Sequence, residues 1–207
     1  RPAGPRWAMV FEDRVDAGRK LVAALEKYRG ARPLVLAIPR GAVRMGRVIA
    51  DALEGQLDVG LVRKLAVPGN PEYALGAVDE KGWTYIADYA RDTGATPVYL
   101  EHEIAEQLAT MRARRALYTP GRPPIDPAGR IVIVIDDGLA TGATMIAALH
   151  SVRTHDPARL VCAVPVAAPG SLELVRPGAD EVVCLDTPAD FYAVGQFYRE
   201  FGQVSDQ

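Results

Sequence analysis

The sequence lacks several features that mark common classes of protein. It has only two cysteines in 207 residues, too few for the disulfide framework of a small secreted domain. It has no excess of basic charge, because 24 Lys and Arg face 26 Asp and Glu. It also has no apolar run long enough to span a bilayer. We therefore expect no nucleic-acid or membrane partner, and we expect Cys162 and Cys184 to be buried free thiols.

Two common phosphate-binding motifs are missing as well. The chain contains neither G-x-G-x-x-G nor G-x-x-x-x-G-K-[ST], so the usual NAD and ATP loops are excluded. The first nine residues lack the apolar centre of a signal peptide. We expect a cytoplasmic protein in which residues 1–8 are a disordered leader or a vector-derived extension before Met9.

Runs of aliphatic residues alternate with segments of helical periodicity. The apolar runs are continuous, which is typical of strands covered on both faces. The strand-like runs are 33–38, 57–62, 131–135, 160–166 and 181–185, and the helix-like segments are 16–28, 42–53 and 142–152. This alternation predicts an α/β fold with a mostly parallel central sheet flanked by helices.

A long segment, residues 65–129, interrupts this alternation. It far exceeds the dozen or so residues that a simple crossover needs, and long insertions are often functional. Its predicted parts are a loop at 66–71, a β-hairpin from 73–78 and 83–87, a helix at 101–118 and a second loop at 119–127. We expect an inserted hood or lid at 65–129 and a core formed by 9–64 and 130–207.

Residues 131–145, IVIVIDDGLATGATM, carry the main functional signal. An apolar strand ends in Asp136 and Asp137, and a loop of small residues then leads into a helix. Such loops bind ligands at the C-terminal edge of parallel sheets, and backbone N–H groups at a helix start favour a phosphate. Adjacent carboxylates repel a phosphate, so we expect the two acids to face ribose hydroxyls and a divalent metal.

This motif resembles the signature of type I phosphoribosyltransferases, which bind phosphoribosyl pyrophosphate (PRPP). The resemblance implies a type I phosphoribosyltransferase-like fold and Mg²⁺-dependent transfer of the 5-phosphoribosyl group to a nitrogen nucleophile, here a nucleobase, with release of pyrophosphate. Asp136 and Asp137 would hold the ribose hydroxyls, directly or through Mg²⁺, as catalytic and metal-binding residues. The residues implied to bind the 5-phosphate are Gly138, Leu139, Ala140, Thr141, Gly142, Ala143 and Thr144. The alternative is an acidic strand end followed by an ordinary turn.

Two further segments resemble pyrophosphate-binding elements of this family. The loop after the first strand contains Pro39, Arg40 and Gly41, and the equivalent family loop binds pyrophosphate, often through a strained peptide bond. Arg40 could donate two hydrogen bonds to phosphate oxygens. Arg63 and Lys64, at the predicted end of the second strand, would also bind pyrophosphate, as in adenine phosphoribosyltransferases. Solvated surface charges are the alternative in both places.

The remaining assignments concern catalysis and the acceptor. We place Lys64 and Glu72 with the catalytic residues, and consider Glu72, Asp79 and Glu80 as candidates for a general base. The segment 189–199 resembles the tail of 6-oxopurine enzymes, in which an aromatic residue stacks on the base, and this position is Tyr192. Core packing is the alternative for Tyr192.

The sequence also departs from the 6-oxopurine pattern. Ala140 stands where those enzymes have an aspartate, and residues 160–166 lack their lysine, which argues against hypoxanthine or guanine as the acceptor. A non-catalytic PRPP-binding regulator stays open, as does a different transfer chemistry on the same scaffold. We expect a homodimer.

Overall fold

The computed structural model describes residues 9–118, 120–121 and 123–202. The leader expected at 1–8 lies outside this part of the chain. In chain order the elements are α1 (Arg14–Ala24), β1 (Leu34–Ala37), α2 (Ala42–Leu53), β2 (Gln56–Val59), β3 (Val62–Val67), β4 (Asn70–Asp79), β5 (Thr84–Ile86), α3 (Pro97–Tyr118), β6 (Ile131–Ile135), α4 (Ala143–Arg153), β7 (Arg159–Val166), α5 (Pro169–Val175) and β8 (Glu181–Asp186). Short 3₁₀ turns occupy Glu26–Tyr28, Asp88–Thr93, Arg176–Gly178 and Val194–Phe197.

A five-stranded sheet in the order β2-β1-β6-β7-β8 forms the centre of the molecule, and all its neighbouring strands are parallel. The inner strands β1, β6 and β7 are buried along almost their whole length. Continuous apolar strands are the form that helices on both faces require. The predicted α/β fold with a mostly parallel sheet is confirmed.

The helices divide between the two faces of this sheet. Helices α1 and α2 cover one face, where Met45 and Ile49 pack against Val35 and Ile133. Helix α4 covers the other face with a different set of strand residues, Leu34, Leu36, Val132 and Val134. Successive strand residues point to opposite faces, so both faces of one short strand are buried.

The connections define a topological switch point between β1 and β6. The chain leaves β1 through α2 on one face and continues to β2, and it leaves β6 through α4 on the other face and continues to β7. The two loops therefore separate at the carboxyl ends of adjacent strands. A crevice of this kind is where open α/β sheets bind their ligands.

A second, antiparallel sheet of β3, β4 and β5 lies between β2 and β6 in the sequence. It corrects two predictions. The predicted strand 57–62 ends at Val59, so Arg63 and Lys64 belong to β3 of the small sheet rather than to the end of a core strand. The predicted loop 66–71 is a tight hairpin, because β3 continues to Val67 and β4 begins at Asn70.

Helix α3 packs on one face of the small sheet, where Met111 contacts a cluster that includes Leu65, Leu75 and Val78. The other face carries Val62 and Ala77 and belongs to the same core as α4. The sheet is thus held between α3 and α4. This block occupies the position of the predicted hood, and its role as a lid stays a prediction. In the described residues, no helix combines the length and apolarity needed to cross a membrane.

Residues 190–202, called the tail below, run beside the start of the described chain. Phe11 N donates to the carbonyl of Phe197 at 2.8 Å, and Arg199 N donates to the carbonyl of Phe11 at 2.8 Å. The rings of Phe11 and Tyr198 are 5.5 Å apart, and both residues are buried. Phe197 and Tyr198 therefore anchor the tail in the core on the face that bears α1 and α2.

Candidate functional site

The loop that follows β6 is fixed against the end of β7. Leu139 N donates to the carbonyl of Val166 at 3.0 Å, and Ala168 N donates to the carbonyl of Leu139 at 3.0 Å. Ser171 at the start of α5 donates its hydroxyl to the carbonyl of Ala140. These bonds fix the backbone conformation of the loop at the switch point.

The loop presents backbone donors at the start of α4. Gly142 has a φ of +82°, a left-handed conformation that favours glycine, and it directly precedes the helix. Ala143 N donates weakly to the Thr141 hydroxyl at 3.4 Å. Within the described chain, the amides of Ala140, Thr141 and Gly142 donate to no protein acceptor. Amides grouped at a helix start form an anion-binding surface.

The predicted pyrophosphate loop faces this loop across the switch point. Its Pro39–Arg40 peptide bond is cis. Ile38 N donates to the carbonyl of Ile135 at 3.1 Å, which joins the ends of β1 and β6. A Cβ built on Gly41 would lie 2.6 Å from Oδ2 of Asp137, so the two loops are in contact there. The structure thus brings Pro39, Arg40 and Gly41 next to the acid pair.

The two adjacent carboxylates differ in their surroundings. Burial, reinforced by the charge of Asp137, raises the pKa of the Asp136 carboxyl well above its usual range. One oxygen of Asp136 accepts the backbone N–H of Asp137 at 2.8 Å. Asp137 instead forms an ion pair with Arg14, at 3.1 Å between Nε and Oδ2. Burial therefore disfavours the charged form of Asp136, whereas Arg14 compensates the charge of Asp137.

Sequence reasoning missed three residues at this site. Arg14, from the start of α1, forms the ion pair with Asp137, and nothing in the sequence distinguishes it from the other arginines. Tyr198 donates its hydroxyl to the carbonyl of Asp137 at 2.7 Å, and burial raises the pKa of this hydroxyl. Ser171 holds the carbonyl of Ala140. Each contact joins distant parts of the chain, so no local motif could reveal it.

The tail lies directly over the acidic loop. A Cβ on Gly138 would be only 2.7 Å from Cγ1 of Val194, so this glycine permits close contact between loop and tail. Tyr192 is 86% exposed, which rules out the core packing considered as its alternative role. Gln196 accepts from the amide of Tyr192 at 2.9 Å and donates to the carbonyl of Asp190 at 2.7 Å. The assignment of Tyr192 to base binding stays a prediction.

Arg63 and Lys64 point to opposite faces of the small sheet. Arg63 donates to Oε1 of Gln107 on α3 at 2.8 Å, on the face away from α4. Lys64 is paired with Ala77, which packs in the core that includes α4, and its Nζ lies 3.4 Å from the carbonyl of Glu72. Lys64 therefore lies on the α4 side of the small sheet and Arg63 on the α3 side, and the pyrophosphate role of both residues stays a prediction. The side chain of Glu72 is exposed.

The other two candidate bases have structural partners. Asp79 accepts the amides of Lys81 at 2.9 Å and Trp83 at 3.0 Å, so it closes the turn between β4 and β5. Glu80 forms an ion pair with Arg115 of α3. Of the three acids, Glu72 alone lacks a side-chain partner among the described residues.

A cavity of about 560 Å³ lies beside the link between β2 and β3 and the turn between β4 and β5. Its walls include Leu36 and Val134 of the central sheet, Asp58 of β2 and the last turns of α4 around Val152. It shares no residue with the loops 39–41 and 136–144. Val152 is nine residues along α4 from Ala143, which corresponds to roughly 13 Å.

Comparison with known proteins identifies relatives of this chain. A model of the phosphoribosyl transferase domain matches residues 11–201. Two proteins from strains of Mycobacterium tuberculosis, each named "Putative phosphoribosyl transferase", are 42% identical over 198 residues. These residues are 95% of this chain and 45% of each relative, so the chain spans less than half their length.

Solved structures extend the comparison to the fold. The crystal structure of TT1426 from Thermus thermophilus matches with a TM-score of 0.78 and 47% identity, over 96% of this chain and 94% of that one. The AQ2163 protein of Aquifex aeolicus matches with a TM-score of 0.52 and 14% identity, over 84% and 74% of the chains, and shows the fold alone. Since the family model covers both loops of the switch point and nearly all of the chain, this protein belongs to the phosphoribosyl transferase domain family.

Proposed function

We propose that this protein transfers the 5-phosphoribosyl group of PRPP to a nitrogen nucleophile of a nucleobase and releases pyrophosphate. One arrangement carries the proposal. At the switch point, an acid pair and a loop with unbonded amides face a second loop that contains Arg40. The first loop suits a phosphate next to a ribose, and the second suits a further phosphate group. PRPP has these groups on one sugar ring.

The roles proposed for single residues combine this geometry with the family resemblance. The loop Gly138–Thr144 would hold the 5-phosphate, and Asp136 and Asp137 would accept the ribose hydroxyls. The loop Pro39–Gly41 and Lys64 would bind pyrophosphate, while the bond from Arg63 to Gln107 favours a structural role for Arg63. Tyr192, exposed on the adjoining tail, would stack on the base.

The donor set fits Mg²⁺. No cluster of three or more acidic, histidine or cysteine residues in the described chain could enclose a metal. Mg²⁺ commonly takes only one or two carboxylates from a protein, and its other ligands are substrate oxygens and water. Asp136 and Asp137 would supply the carboxylates, and a cation near them would favour their ionised forms. The ion would neutralise the charge that pyrophosphate gains as it leaves.

The expected reaction passes through an oxocarbenium-like ribosyl group. The protein must anchor the remote 5-phosphate, hold the pyrophosphate and exclude water, which would hydrolyse PRPP. Orientation of bound reactants can supply roughly 7–11 kcal/mol of such a barrier. Glu72 is the best-placed candidate base because Asp79 and Glu80 have structural partners. General-base catalysis commonly adds about 10²- to 10⁴-fold in rate.

A panel of nucleobases with radiolabelled PRPP and Mg²⁺ tests the proposal. Pyrophosphate release that depends on one base supports a transferase. Release without any base indicates a hydrolase or transfer to water, and tight binding without release indicates a PRPP sensor. Either of the last two results would contradict the proposed transfer activity but would still support PRPP as the ligand.

Thermal stability tests the ligand site separately. PRPP with Mg²⁺ at 100 times its dissociation constant should stabilise the protein by about 2.7 kcal/mol. The double variant Asp136→Asn/Asp137→Asn should lose this stabilisation. Asp88→Asn/Asp92→Asn, which changes two exposed acids in the 3₁₀ turn after β5, is the matched control and should keep this stabilisation. An unchanged PRPP effect in the first variant would refute the site.

A further inference from the structure

Arg14 contacts several parts of the candidate site at once. Its Nε donates to Oδ2 of Asp137 at 3.1 Å, and its Nη1 donates to the carbonyl of Gly202 at 2.8 Å. Its guanidinium carbon lies 4.0 Å from the centroid of the Phe201 ring. The side chains of Arg14 and Asp137 are only 12% and 16% exposed, so water screens their ion pair weakly. One side chain therefore joins the acid pair to the tail.

Gly41 gives Arg14 a third neighbour. A Cβ on Gly41 would lie 2.6 Å from Nε and 3.1 Å from Cζ of Arg14. The guanidinium thus lies against the loop assigned to pyrophosphate as well as against Asp137. It places a fixed positive charge at the contact between the two loops.

These contacts depend on the shape of arginine. Its planar group carries five N–H donors in a rigid fork and stacks well on aromatic rings. A lysine ammonium could replace the charge beside Asp137, but it could not also bond Gly202 and stack on Phe201 in the same geometry. Within the described residues, Nη2 of Arg14 donates to no acceptor.

We propose that Arg14 is a positioning residue that couples occupation of the ribose–pyrophosphate site to docking of the tail. Through Asp137 it orients the carboxylate that would accept a ribose hydroxyl. Through Phe201 and Gly202 it fastens the tail, which carries Tyr192. The inference rests on the proposed function, because the ligand whose binding is coupled to the tail is PRPP.

The coupling must be reciprocal. If a docked tail raises the affinity for PRPP, then bound PRPP must favour the docked tail by the same factor. Filling the first substrate site would therefore order the segment that would receive the second substrate. Tail order and PRPP affinity should change together when Arg14 is altered.

Arg199 provides a matched control. It also joins the tail to the start of the described chain, through an ion pair with Glu12 at 2.7 Å. Both side chains of that pair are about two-thirds exposed, at 66% and 63%, and within the described residues Arg199 makes no ion pair with Asp136 or Asp137. Its removal takes away a tail ion pair without touching Asp137.

The experiment compares wild type, Arg14→Ala, Arg14→Lys and Arg199→Ala. Calorimetry measures the affinity for PRPP with Mg²⁺, and hydrogen exchange measures protection of residues 190–202 with and without PRPP. Arg14→Ala should weaken PRPP binding roughly tenfold or more, since charged hydrogen bonds are lost. It should also abolish the PRPP-dependent protection of the tail. Arg199→Ala should keep the wild-type affinity for PRPP and the PRPP-dependent protection of the tail.

Two further readouts separate positioning from simple structural support. Millimolar guanidinium, far below denaturing concentration, should restore PRPP affinity and tail protection to Arg14→Ala, whereas sodium chloride should not. Arg14→Lys should keep part of the PRPP affinity but leave the tail unprotected. If Arg14→Ala does not fold, the lysine variant alone carries the test.

The outcomes distinguish this inference from the proposed function. If wild type does not bind PRPP, the proposed function fails and the inference fails with it. If wild type binds PRPP but Arg14→Ala or Arg14→Lys matches it in affinity and tail protection, only the inference is wrong. The same holds if Arg199→Ala reproduces the effects of Arg14→Ala, because the tail would then respond to any lost ion pair.

Discussion

At the scale of single residues, Gly41 has little space in the pyrophosphate loop. Its φ is −60°, so alanine could adopt the backbone, but the added Cβ would meet Asp137 and Arg14 at 2.6 Å. We predict that Gly41→Ala displaces the ends of the Arg14 and Asp137 side chains and weakens pyrophosphate binding. Because both side-chain ends can move, we expect a cost at the lower end of the range for overpacking, about 1 kcal/mol. Calorimetric titration with pyrophosphate and Mg²⁺ measures the effect.

The control for this change is another glycine near the start of a helix. A Cβ added to Gly170 in α5 would have no atom within 4 Å, so Gly170→Ala should leave pyrophosphate binding unchanged. Equal affinity in Gly41→Ala and wild type would show that the loops are not in the contact described. Equal weakening in both variants would point to a general loss of stability.

The two cysteines give a prediction about reactivity. Burial raises the pKa of the Cys184 thiol from 9.0 to about 11 and also raises that of Cys162. The folded protein favours the neutral thiol, so this contribution to stability is complete below pH 9 and is lost as pH rises through about 11. We predict that iodoacetamide labels both thiols slowly at pH 8 in the native protein and rapidly in urea. Cys162 is buried and Cys184, expected to be buried as well, is half-buried. Rapid native labelling of either thiol would contradict this prediction.

At the scale of elements, the hairpin of β3 and β4 belongs to the segment expected to form a hood or lid, and its two halves differ in burial. Residues 69–73 are exposed and the ladder is irregular between Leu65 and Val67, whereas residues 74–79 are buried. We predict fast hydrogen exchange for 69–73 and slow exchange for 74–79 in the free protein. PRPP together with a nucleobase that the protein accepts should slow hydrogen exchange only at residues 69–73.

The buried half of the same strand is an internal control for that experiment. Equal protection of residues 69–73 with and without ligands would exclude a closing lid. Turnover tests the chemistry separately, because Glu72→Gln should lower kcat by about 10²- to 10⁴-fold if Glu72 is the base. Wild-type turnover in that variant would remove Glu72 from the mechanism even if the hairpin moves.

The sequence predicted the elements whose signals are local. Continuous apolar runs located β1, β6, β7 and β8, and the acid pair with its small-residue loop located the switch point. The break after β2 was missed because residues 57–62, LDVGLV, form one largely aliphatic run despite Asp58 and Gly60. The turn at Gly60 depends on a bond from its N–H to Ala37 on a neighbouring strand. Arg14 was missed because 123 residues separate it from Asp137.

At the scale of the whole molecule, the small sheet and the central sheet share one core. Val62 and Ala77 from the small sheet pack in the same cluster as Val134 and Leu149. We therefore predict a single cooperative unfolding transition. In a Trp7→Phe background, Trp83 fluorescence reports on the small sheet. The Trp83 ring stacks on His150 of α4, with the ring centroids 3.6 Å apart.

The measurement is a comparison of two probes. Trp83 fluorescence and far-ultraviolet circular dichroism should give the same midpoint in urea if the two sheets unfold together. A Trp83 transition at lower urea would show that the small sheet is an independent unit. That result would also favour the proposed division into a core and a hood at residues 65–129.

The pairing of Phe11 with the tail has a consequence for biosynthesis. Tyr198 reaches the acidic loop, and Gly202 reaches Arg14, only when the tail lies beside Phe11, through the bonds between Phe11, Phe197 and Arg199. A ribosome makes Arg14 and Asp137 long before it makes these partners. Strands β1, β2, β6 and β7 are all made before the tail, but β8 ends at Asp186, shortly before it. The edge of the central sheet and the candidate site are therefore completed close together, once residue 202 has left the exit tunnel. A chain released before that point would lack a finished site.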